Sequence, residues 1–139
     1  MVKRQIKQIE IETDGVCFGP SPKFNDETTQ NVTIYRDGQI HVKGYRFGDQ
    51  TLIRNKHLQC PASMTKKIMM DIQRIVASSY HSVLATDVGT WEMKVSYDEG
   101  NDNYFGSLIM SSEFDKVSEN IRKVTGMPNL LLFNRNFEV

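Results

Sequence analysis

The chain has 139 residues, 39% of them apolar and 24% charged, with 17 Lys and Arg matched by 17 Asp and Glu. That length suits one domain spanning 1–139, able to bury a core without disulfides or metal. Zero net charge argues against a nucleic-acid binder acting through bulk positive charge, no apolar run approaches the ~18 residues of a membrane span, and the charged start Met1–Gln8 lacks the apolar stretch of a secretory signal.

The first predicted element is Gln5–Glu12. Ile9 and Ile11 fall on one face and Gln8, Glu10 and Glu12 on the other, the period of a half-buried strand. Thr13-Asp14-Gly15 ends it. Gly15–Gln30 shows no period and is punctuated by Gly15, Gly19, Pro20 and Pro22. A stretch of that length without structure is commonly functional or mobile; the plainer alternative is an Ω-like loop pinned by Phe18 or Phe24.

Val32–Val42 reads as a β-hairpin about Asp37-Gly38. A two-residue loop would mix aliphatic and polar side chains on each face. A three-residue loop, Arg36 to Gly38, sets Ile34 opposite Ile40 and Val32 opposite Val42, and leaves Thr33, Tyr35, Gln39 and His41 on the other face. The pattern therefore predicts a type I turn with Gly38 left-handed as a bulge. Gly44–Gln50 is expected as a turn or kinked extension, and Thr51–Lys56 as a short strand.

A helix is predicted over Ala62–Ser79, with Pro61 at its start and a stripe of Met64, Ile68, Ile72, Ile75, Val76 and Ser79. Met69 and Met70 lie at the stripe's margin, so one of them is expected to be exposed. Trp91, Met93, Val95 and Tyr97 alternate with Glu92, Lys94 and Ser96, which predicts a strand with a large apolar face. Asp98–Asn103 reads as a turn and Tyr104–Met110 as the returning strand. A second helix follows, capped by Ser112 with Asp115 three residues on, with Phe114, Val117, Ile121 and Val124 as its stripe, Gly126 at C′ and Pro128 beyond. Leu130–Phe133 is expected as an edge strand or as a segment under the sheet. Hairpin-linked, alternating strands with two helices predict an α+β fold: an antiparallel sheet with both helices on one face.

Three stretches, Gly15-Val16-Cys17-Phe18-Gly19-Pro20-Ser21-Pro22, Val32–Gly38 with Gly44–Asp49, and Ala85–Glu92, carry a resemblance across most of the chain. With its G-x-C-F-G and I-Y-x-D-G motifs the sequence resembles small uncharacterised α+β proteins of Gram-positive bacteria. That resemblance implies a single compact domain and transfers no activity, cofactor or catalytic residue.

The chemistry-bearing residues are few. Cys17, between glycines, would need a neighbouring base or cation to act as a nucleophile; as a small apolar side chain it would instead anchor the loop together with Phe18. No pair among Cys17, Cys60, His41, His57 and His81 has local metal-ligand spacing. Asp98–Asn103 lacks a calcium-loop register, and Gly15, Gly19 and Lys23 form no phosphate-binding motif. No metal or cofactor is therefore expected. Tyr35, Tyr45 and Phe47, with His41 and Lys43 near them, could stack bases but are better read as a packing or interface surface. Two cysteines in unlike contexts suggest reduced thiols and a cytoplasmic protein.

The expected function is a non-enzymatic binding protein that uses the Gly15–Gln30 loop and a hairpin face. Cys17, Phe18, Tyr35, His41 and Tyr45 are its candidate binding residues, and a homodimer or another protein is its partner, with no nucleic acid and no membrane. The alternative is a ligand-binding protein or enzyme with Cys17 and a histidine in a pocket under the loop.

Overall fold

The alternation of Ile9 and Ile11 with polar neighbours continues into strand β1 (Ile6–Asp14), which the computed structural model places inside the sheet, paired with a strand on either side. The structure describes residues 5–14, 23–77, 89–107, 112–127 and 129–133. A register shift at Lys7 turns Ile6 onto the same face as Ile9 and Ile11, so all three are buried. The other elements are β2 (Glu27–Tyr35), β3 (Gln39–Arg46), β4 (Leu52–Gln59), α1 (Ala62–Ala77), β5 (Thr90–Tyr97), β6 (Asn101–Ser107) and α2 (Ser112–Thr125). They form a six-stranded antiparallel sheet in the order β4-β3-β2-β1-β5-β6 with two helices, an α+β fold.

The first hairpin has the register that its aliphatic face requires. Val32 pairs with Val42, Ile34 with Ile40 and Thr33 with His41. The loop closes through Gly38 N–H donating to the Tyr35 carbonyl at 3.2 Å, with Gly38 at φ +102°. Gly38 is also a packing point, because its carbonyl accepts from Cys60 N–H at 2.8 Å where β4 turns into α1.

Several boundaries differ from those the sequence suggested. β2 begins at Glu27, so the last four residues of the Gly15–Gln30 stretch are strand. Thr28 and Gln30 continue the buried side of β2 as polar residues, which is why the pattern faded there. Gly44 to Arg46 extend β3, leaving 47–50 as the turn, and the following strand runs on to Gln59. β6 begins at Asn101, because the tight loop at Asp98-Glu99 lets the Gly100 carbonyl accept from Tyr97 N–H at 2.9 Å. In α1, Met64 is 42% exposed and Thr65 is buried in its place, its hydroxyl donating to the Ala62 carbonyl at 3.1 Å. Of the marginal pair, Met69 is buried and Met70 is exposed. Ser79 and 108–110 lie outside the described residues.

The apolar faces meet as expected. Trp91, Met93, Val95 and Tyr97 join Ile68, Ile72 and Ile75 of α1 and Phe114, Val117 and Ile121 of α2 in one core. Helix α2 ends at Thr125, with Gly126 at C′ (φ +69°), and Met127 N–H donates to the Arg122 carbonyl at 3.1 Å, a Schellman closure.

Residues 130–133 are not a strand. Leu132 has φ +50°, which breaks an extended run. Instead the segment crosses the core face of the sheet, and side chains satisfy its backbone. Gln30 Oε1 accepts from Leu131 N–H at 2.7 Å, Thr13 Oγ1 donates to the Leu132 carbonyl at 3.0 Å, and Ser118 Oγ accepts from Phe133 N–H at 3.4 Å. Arg122 donates to the Leu130 and Leu131 carbonyls at 2.8 and 3.2 Å. At the β4 end, Arg54 joins the Glu27 carboxylate at 3.1 Å and the Asn129 side-chain oxygen at 3.1 Å. At the β5 end, Phe133 packs edge-on to Trp91, with ring centroids 4.9 Å apart, and stacks on Phe114. This strap covers the part of the sheet that the two helices leave open.

Candidate functional site

The sheet has a second face, and no described helix lies on it. Its side chains follow from the register. One row across the strands reads His57, His41, Thr33, Glu10, Lys94, Asn103 from β4 to β6, and the next reads Asn55, Lys43, Asn31, Glu12, Glu92, Phe105. Acidic charge is therefore gathered on one side of the face, away from Lys43 and the two imidazoles. The β3–β4 side carries His41, His57 and Lys43, and the β1–β5 side carries Glu10, Glu12, Asp14 and Glu92, with Lys94 among them. Partial burial, and then the Glu92, Glu10 and Asp14 carboxylates, push the Glu12 carboxyl above its ordinary range. Phe105, 54% exposed, flanks a groove of about 370 Å³ beside these carboxylates.

On the β3–β4 side, His41 and His57 stand directly opposite one another and stack, with ring centroids 3.8 Å apart and planes 23° apart. His41 Nε2 lies 2.6 Å from Asn55 Oδ1. Tyr35, Gln39 and Gln59 line the hollow of about 200 Å³ next to the pair.

Of the candidate binding residues, Tyr35, His41 and Tyr45 all lie on this face, in different rows, each half-buried. Cys17 and Phe18 lie outside the described residues, as do 15–22 of the loop and His81. Phe47 sits in the turn after β3 and not on the sheet. That turn is braced by Arg46, which donates to both Asp49 oxygens at 3.0 and 2.7 Å and covers the Phe24 ring at 4.9 Å. The Arg46 guanidinium and then the Thr51 hydroxyl hold the Asp49 carboxyl well below the usual range. The sequence reading missed His57, Asn55 and the carboxylates Glu10, Glu12 and Glu92 as parts of one surface. Only strand order and register bring them together.

Cys60 is half-buried between β4 and α1, and burial pushes its thiol up. A thiol so placed holds little thiolate at neutral pH. Ellman's reagent should count two thiols in the denatured, unreduced chain, with Cys60 reacting slowly in the folded one. A count of zero, or fast reaction of Cys60 in a Cys17→Ser variant, would contradict this.

No protein-family model matches the chain, and no curated protein matches its sequence. No helix among the described residues is long and apolar enough to cross a membrane.

Proposed function

We propose that this is a small non-enzymatic interaction protein whose helix-free sheet face docks against the same face of a second copy. The observation that carries the reading is the sorting of charge across that face. Sheets pack face to face about 10 Å apart with their strands nearly aligned. A two-fold axis parallel to the strands and passing by β2 sets β3 of one copy over β1 of the other. Lys43 then faces Glu12 of the second copy and His41 faces Glu10, and symmetry repeats both contacts. The crowded carboxylates of β1 and β5 thereby gain the Lys43 ammonium as a positive neighbour, and Glu10 gains the His41 imidazole. Zero net charge leaves little long-range repulsion between copies.

Sedimentation across a concentration series tests this. The chain should pass from 16.0 kDa toward twice that mass, less readily at high salt. Lys43→Glu or Glu12→Lys alone should weaken association about thirtyfold, since each pair is worth roughly 0.5 kcal/mol, the new repulsion costs about as much again, and the symmetry doubles both. The double reversal should restore it. A chain that stays at 16.0 kDa throughout, or a double reversal no better than the singles, overturns the reading.

A further inference from the structure

We infer that His41 and His57 form a site for a borderline divalent metal ion such as Zn²⁺, held by two imidazoles with its remaining positions open to water. The two residues face each other directly across β3 and β4. Directly opposed residues on antiparallel strands have Cβ atoms roughly 5 Å apart, close enough for two imidazole nitrogens to reach one ion at about 2.1 Å each. The rings already lie together, with centroids 3.8 Å apart.

The contact with Asn55 supplies an independent observation. With Asn55 presenting its amide oxygen to the ring at 2.6 Å, His41 Nε2–H is the donor and Asn55 Oδ1 the acceptor. In the neutral ring that fixes the other nitrogen, Nδ1, as the one carrying a lone pair. A metal-ligating histidine commonly gives its second N–H to an oxygen in this way, which holds the tautomer and ring orientation that coordination needs. His41 is thus pre-set. His57 is exposed, and a turn of its ring about χ2, a fast and small movement for a surface side chain, opens the stacked pair toward a shared ion.

Imidazole donors select zinc, nickel and copper over magnesium and calcium, which prefer oxygen. Among the described residues no group of three or more His, Cys, Asp and Glu surrounds the pair. The ion would therefore keep water or accept a donor from a bound molecule, an open site and not a closed structural one. The sequence gives no local sign of it, because sixteen positions separate the two histidines and only the β3–β4 register joins them. Both ligands belong to one chain but lie on the face proposed for docking, so metal binding and sedimentation are measured on the same variants, which keeps the failure of the site and the failure of the dimer separate results.

The test is calorimetric titration of the tag-free chain with zinc chloride and, in parallel, with magnesium chloride. One Zn²⁺ should bind per chain in the micromolar range, with no heat from Mg²⁺. His57→Gln and His41→Gln should each lower affinity at least tenfold, and Asn55→Ala about tenfold through loss of the orienting bond. His81→Gln should leave it unchanged. Both sheet histidines are on the face without a helix, so these variants should melt with the wild type. Absence of saturable Zn²⁺ binding, binding that survives His57→Gln, or binding lost in His81→Gln overturns the site.

Discussion

Gly38→Ala is expected to destabilise the protein by at least about 3 kcal/mol, lowering the melting temperature by roughly 10 °C. Two effects add. A Cβ at φ +102° carries the left-handed penalty of about 1–2 kcal/mol. It would also overlap the Cys60 carbonyl oxygen and crowd the Ala62 amide nitrogen at 3.2 Å, and both are backbone atoms that cannot rotate away. Gly38 is where the first hairpin, the end of β4 and the start of α1 meet, so any relief must move one of the three. Gly100 provides the internal control. It too has positive φ, at +85°, but open space surrounds its missing Cβ. Gly100→Ala should therefore cost the backbone penalty alone. Urea unfolding of the two variants separates strain from contact. A Gly38→Ala variant no less stable than Gly100→Ala would show that the Cys60 contact does not restrict that position.

Gly38 also marks how far the sequence could be read. The register of Val32–Val42 was legible because only one pairing puts four aliphatic side chains on a single face, and that pairing is the one present. The same logic placed Trp91, Met93, Val95 and Tyr97 in the core. It failed where the core face turns polar. Thr13, Gln30, Ser118 and Arg122 are all buried, yet each looks like the end or the outside of its element when read by hydropathy. Their partners are backbone groups of 130–133, distant in sequence, so no local pattern announces them. The outer face was harder still. Tyr35, His41 and Tyr45 were recognisable as hairpin residues on one side, but the carboxylates that complete the face come from β1 and β5. Those strands flank each other only because the chain crosses back from β4, after α1, to pair β5 with β1.

Arg122→Met is expected to cost about 2–4 kcal/mol, for a reason that hydropathy alone would invert. Methionine is as long and more apolar, and its position on α2 is 8% exposed, so a transfer argument favours the substitution. Burial indeed works against the charge and pushes the guanidinium down from its usual range, with Glu119 and then Asp115 acting the other way. The deciding term is what the guanidinium holds. Its Nε and Nη2 satisfy the carbonyls of Leu130 and Leu131, in a segment with no strand ladder to take them up. Removing the donors strands two acceptors at about 1–3 kcal/mol for each that stays buried. Leu130, Leu132 and Phe133, all almost fully buried, then lose the tether that holds them over the sheet. Arg122→Lys, which keeps a donor and the charge, should lose less. Urea midpoints measure the ranking, wild type above Lys above Met. Amide exchange at Leu131, whose N–H is held by Gln30, should speed up in the Met variant by more than global unfolding accounts for. A Met variant as stable as the wild type would mean that the strap is held by its apolar side chains alone, with the buried polar residues adding nothing.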